Sequence, residues 1–339
     1  MDNSYRINWI DNLKGIGIIF IIFGHSLACP ELLINYFFSF HVPLFFFIAG
    51  LNFSNKNLLI NFSVFCRKRA ERLLVPYFFF NILSYIFWFT RTKILDNQNE
   101  IPALKPLIGI LYGNGGNFWL IHNEPLWFFV CLFVTQILLF FILKITKTKL
   151  QIIGVLIICG AIGCLDSNYF KFRLPWSIDV AFTAVVFSGA GYILREKCEE
   201  WTKNNHIVFL IIFLLLNVCF VLLNGKVDMN HNKYNNIFLF YGGAFSGIFF
   251  WVSVLIALGD LRILQYIGTN SLTIFALHLP ALIVIVKLLM VTGISYSIQA
   301  TNILFLFIHA FLAILILVPA NYVFNKYTPF LIGKKSASI

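Results

Sequence analysis

The sequence predicts an all-α, polytopic integral membrane helix bundle with about ten transmembrane helices and both termini in the cytoplasm. Composition, the spacing of apolar runs and the distribution of basic residues carry this prediction. Hydrophobic residues make up 60% of the 339 positions and charged residues 12%. The mean hydropathy is +0.85. Soluble domains are about 45–50% apolar and about 25% charged. A water-soluble chain of this length has too little interior to hide so much apolar surface. A bilayer lifts that limit, and the 40 Phe and 7 Trp suit lipid-facing helices with aromatic ends.

A span needs roughly 20 mostly apolar residues. Read in order, the expected spans are 9–29, 33–50, 73–90, 126–143, 150–165, 178–194, 207–223, 237–258, 263–290 and 301–324. Segment 106–112 is too short to cross and is expected as a surface or re-entrant helix. Segment 91–125 contains Gly113-Asn114-Gly115-Gly116-Asn117, a loop composition. No internal repeat and no appended soluble region is visible, so residues 1–339 are expected to form one membrane-embedded domain.

Basic residues orient the bundle. With the N-terminus inside, sixteen Lys and Arg fall on the cytoplasmic side and seven on the other; Lys14 and Lys287 lie within spans. Cytoplasmic loops carry the excess of Lys and Arg, which favours this orientation. The formal net charge of +11 therefore reads as topology, and no nucleic-acid motif accompanies it.

The seven cysteines form no CxxC or His-rich metal spacing, so they are expected as small buried side chains and no metal is expected. Ser26-Leu27-Ala28-Cys29 loosely resembles a lipoprotein cleavage box. Lys14 interrupts the segment before it, so an uncleaved first helix is expected.

Ionisable side chains inside a bilayer are costly and mark function. Asp11, Lys14 and His25 lie on the first expected span, His41 on the second, Asp179 on the sixth, and His278 and Lys287 on the ninth. His309 on the tenth has no surrounding motif and is expected to be structural, as is Lys287, which can snorkel from a helix end. Lys14 and His25 are eleven residues apart. On a helix they share a face and stand about 16 Å apart along the axis. They are expected to line opposite ends of one passage. Arg67, Lys68, Arg69 and Arg72 lead into the third span. They are either a topology anchor or a phosphate clamp, with Arg69 and Arg72 on one helix face.

Four segments share a resemblance. They are Asn8-Trp9-Ile10-Asp11-Asn12-Leu13-Lys14 running on to Gly24-His25-Ser26, then Phe40-His41-Val42-Pro43 ending at Gly50, then the basic run through Arg72-Leu73-Leu74-Val75-Pro76-Tyr77, and Ile267-Gly268-Thr269-Asn270-Ser271 continuing to His278-Leu279-Pro280. Pro125-Leu126-Trp127 and Asp179 fit more loosely. The chain resembles the acyltransferase-3 family of integral membrane acyltransferases, and within it the fucose 4-O-acetylase-like branch. Lys14 stands where that family usually has arginine, which keeps the charge and loses the bidentate fork.

The resemblance implies a bacterial inner-membrane enzyme that moves an acetyl group from acetyl-coenzyme A to a hydroxyl of a surface or lipid-linked glycan. His25 would be the general base, with Lys14 and Asp11 beside it. Arg67, Lys68, Arg69 and Arg72 would hold the donor. His41, His278, Glu124, Trp127 and Asp179 would contact the acceptor. Intramembrane histidines also suit a proton-coupled transporter or a flippase for a lipid-linked sugar, although the paired halves common in transporters are not visible. A sensor that kept the fold and lost the chemistry is a third reading.

Overall fold

The structure is a computed structural model and describes residues 8–95, 100–170, 172–201 and 206–334. Helix accounts for 83% of it, with no strands among the described residues. The α-helices run α1 Asn8–His25, α2 Glu31–Leu51, α3 Phe62–Phe89, α4 Leu104–Tyr112, α5 Trp127–Ile145, α6 Lys149–Tyr169, α7 Ile178–Trp201, α8 His206–Asn224, α9 Ile237–Leu258, α10 Arg262–Thr269, α11 Ser271–Val291, α12 Tyr296–Thr301 and α13 Leu304–Tyr327. Eight helices among the described residues are long and apolar enough to cross a membrane. Each of the ten expected segments lies on a helix or on two in succession. α1 falls outside the eight with Asp11 and Lys14 in it, and α8 contributes the shorter apolar stretch Val208–Asn224. Exposed Ile82, Ile86, Ile157, Leu215 and Phe311 cover the outward faces of α3, α6, α8 and α13. Such apolar surface is stable against lipid and costly against water.

Three expectations are corrected. Segment 263–290 is not one span: Asn270 has φ −109° and ψ 13°, and separates α10 from α11. Its side-chain oxygen takes hydrogen bonds from Asn325 Nδ2 and Lys334 Nζ, and its Nδ2 donates back to the Tyr266 carbonyl, so the side chain caps the end of α10 and ties it to the C-terminal segment. The third expected span, 73–90, lies within a longer helix. α3 begins at Phe62, so Arg67 to Arg72 ride on the helix itself. The first helix ends at His25, and Ser26 turns the chain toward Pro30. Segment 106–112 does form the short helix α4.

Helix pairs approach to backbone contact at glycines. A Cβ at Gly15 would stand 2.2 Å from the Leu264 carbonyl oxygen, and one at Gly268 would stand 1.8 Å from that of Asp11. α1 therefore lies directly on α10. α2 meets α7 the same way: a Cβ at Gly50 would be 1.8 Å from the Ser188 oxygen, and one at Gly191 2.1 Å from that of Phe47. The glycines in these motifs let helices touch.

Proline breaks another ladder usefully. Pro280, inside α11, has no N–H for the Ala276 carbonyl one turn back. Asn123 Nδ2 donates to that oxygen instead at 2.7 Å, and to Ser84 Oγ at 2.9 Å. One fully buried amide thus joins α3, α11 and the turn that leads to Glu124.

Candidate active site

α1, α2, α5 and α11 surround a cavity of about 350 Å³. Lys14, Asn52 and Ser271 line it toward the end of the bundle that carries the basic cluster. Glu124, Asp228, Asn230 and His231 line it toward the opposite end. His25, His41, Phe38 and Trp127 also line it. The shared face expected for Lys14 and His25 is present: one cavity contains both.

Helix geometry sets each side chain. Lys14 reaches back one turn to Asp11, with Nζ to Oδ1 at 3.1 Å. Asp11 is almost wholly buried, so the pair fixes the ammonium at the cavity wall. Phe38 stands between two histidines, its ring centre 6.0 Å from that of His25 and 4.9 Å from that of His41. His278 lies behind His25 with ring centres 5.1 Å apart. His41 Nδ1 bonds the Phe37 carbonyl at 2.6 Å and His278 Nδ1 bonds that of Phe275. A carbonyl only accepts, so Nδ1 carries the hydrogen in both rings. In the neutral rings their Nε2 atoms then present lone pairs.

The opposite end closes with residues that the sequence did not single out. Between α8 and α9 the chain forms a tight turn bridged from Asp228 to Lys233. His231 Nδ1 meets Asp228 Oδ2 at 2.9 Å and His231 Nε2 lies 3.4 Å from Glu124 Oε1. Asn230 Nδ2 donates to the same Glu124 oxygen at 2.8 Å. The hydrogen bond from Asp228 raises the His231 pKa above its ordinary value, and the Asp228 and Glu124 charges add to this against desolvation. Burial works against the Asp228 charge, but the His231 hydrogen bond and charge outweigh it and hold its pKa low. The only local signal in the sequence is an Asp and a His three apart in a polar loop.

Asp179 lies outside the cavity wall. Fully buried, it forms an ion pair with Arg173, which also donates to the Asn230 carbonyl. Its contact with the site is indirect, through the turn that it anchors. His309 bonds Ser26 Oγ at 2.9 Å and Gln299 Oε1 at 3.1 Å, a structural link between the end of α1 and α13.

At the basic end a second cleft, of about 920 Å³, is lined by Lys68, Arg69, Arg72 and Lys334. Asn52 lines both spaces. The Arg69 guanidinium rests on the Phe65 ring, 5.1 Å from its centre. Arg67 is not part of the cleft lining; it is exposed and pairs with Glu71, which is part of that lining. Cleft and cavity together bring Lys14, His25, His41, Glu124 and Trp127 to one space and Lys68, Arg69 and Arg72 to its neighbour.

The family model for the acyltransferase domain, acyltransferase-3, matches residues 7–322. The chain belongs to this family and is a membrane acyltransferase. No curated protein and no solved structure gives a significant match to it.

Proposed function

We propose that this protein is a bacterial inner-membrane O-acetyltransferase that moves acetyl from acetyl-coenzyme A to a hydroxyl of a surface or lipid-linked glycan. The observation that carries the reading is the single cavity holding Lys14 and His25 at different depths, beside a basic cleft. Lys68, Arg69 and Arg72 suit donor phosphates, since arginine and lysine bind them with charge-assisted hydrogen bonds. The roughly 16 Å between Lys14 and His25 along α1 is within the reach of the donor's pantetheine arm. Both termini then lie in the cytoplasm, and the Glu124 end faces away from it.

His25 is the proposed general base. It takes the proton of the acceptor hydroxyl as that oxygen attacks the thioester carbonyl. The carbon–sulfur bond breaks, and the proton passes from His25 to the departing thiolate, so no net proton is used. His41 and His278 support the site, and Trp127 offers an aromatic face to the sugar.

Purified protein given radiolabelled acetyl-coenzyme A and glycan from cells lacking the gene is expected to label the glycan. His25→Ala is expected to reduce this at least a hundredfold, the range general-base catalysis supplies (about 10²–10⁴). Labelling at the unaltered rate by a folded His25→Ala protein would exclude His25 as the base.

A further inference from the structure

We infer that the Glu124 end of the cavity selects an uncharged sugar residue, recognised through its hydroxyl donors, and rejects sugars bearing carboxylate or phosphate. The inference rests on the proposed function and adds the class of acceptor to it.

Polar groups at this end are chiefly hydrogen-bond acceptors. His41 is only 3% exposed and lines the cavity. Its Nδ1–H is committed to the Phe37 carbonyl. Its Nε2 lone pair therefore requires a donor, and no described residue supplies one. Glu124 and Asp228 add carboxylates, which only accept. Several donors at this end are already engaged. His231 lies between Asp228 and Glu124, and the Asn230 amide donates to Glu124. Arg173 does not line the cavity; its Nε and Nη1 are bound to buried Asp179 and the Asn230 carbonyl, and its Nη2 is without a partner among the described residues. Lys14 pairs with Asp11 about 16 Å along the helix.

Charge points the same way. The carboxylates of Asp228 and Glu124 face the single imidazole of His231 and outnumber it even when that ring is protonated. A carboxylate or phosphate on the acceptor would bring a further negative charge into a partly desolvated space where Lys14 and His231, among the described lining residues, already face carboxylates. A neutral sugar brings O–H donors that match the lone pairs and a C–H face for Trp127.

Glycan from cells lacking the gene serves as acceptor for the purified protein and labelled acetyl-coenzyme A, and mass spectrometry assigns the residue that gains the ester. The expected result is an ester on an uncharged sugar. Glu124→Gln, nearly isosteric, is expected to narrow the preference for neutral over acidic sugar glycosides at least tenfold, measured as a ratio within one preparation. An ester on a uronic acid or phosphorylated sugar would overturn the inference and leave the proposed function standing, as would an unchanged ratio in Glu124→Gln. Absence of any labelled glycan would overturn the proposed function and this inference with it.

Discussion

Asp228 and His231 hold each other in the charged form, which gives the turn they form a pH dependence. The His231 pKa is raised above 6.5, so its contribution is complete below that value and is lost as pH rises through the raised pKa. The Asp228 pKa is lowered from 3.8, so its contribution is present above that value and is lost as pH falls through the lowered one. Between these limits the turn is clasped to Glu124. Labelled-histidine NMR is expected to show a His231 midpoint above 6.5, and Asp228→Asn is expected to bring it down. Equal midpoints in both proteins would mean that Asp228 does not hold the proton. None of this was legible in the sequence, because a three-residue spacing in a polar loop says nothing about Glu124, which is more than a hundred positions away. His25 and His41 were legible because a bilayer makes imidazole conspicuous.

At the scale of helices, the sequence showed apolar runs and left their ends unresolved. Runs of 20 apolar residues mark spans whatever their neighbours do. The break at Asn270 went unseen because the polar stretch Thr269-Asn270-Ser271 is short, apolar residues resume on both sides of it, and the partners of its side-chain oxygen, Asn325 and Lys334, lie beyond residue 320. The early start of α3 went unseen because a basic run on a helix and one in a loop have the same composition. Glycines carry the clearest test. Gly50→Ala places a methyl 1.8 Å from the Ser188 oxygen, where only helix separation can relieve it. Overpacking of this kind costs about 1–3 kcal/mol. Gly154, on α6, has nothing within 4 Å of its would-be Cβ, and alanine there gains helix propensity. Thermal unfolding in detergent is expected to fall for Gly50→Ala and to hold or rise for Gly154→Ala. Equal melting of the two variants would refute the close α2–α7 crossing.

Taken whole, the molecule separates two chemistries by depth. Cations collect at one end, in the cleft of Lys68, Arg69 and Arg72, and carboxylates at the other, around Glu124 and Asp228. Aromatic and aliphatic side chains line the space between, so a donor anchored by its phosphates would extend its thioester past Ile18 and Ile21 to reach His25. Under the proposed function, that arrangement would separate donor binding from transfer. Ile18→Trp adds bulk to the wall between Lys14 and His25 without touching the basic cleft. Binding of coenzyme A, measured by calorimetry on purified protein, is expected to stay within about threefold of the unaltered protein, which also shows that the variant folds. Acetyl transfer is expected to fall by more than tenfold, since a misplacement of about 1 Å costs on the order of a hundredfold. If transfer persists at full rate while the Trp is in place, the donor does not travel along α1, and the depth relation between Lys14 and His25 has no part in the reaction. A loss of binding equal to the loss of transfer would place donor recognition inside the cavity and remove the basic cleft from the mechanism.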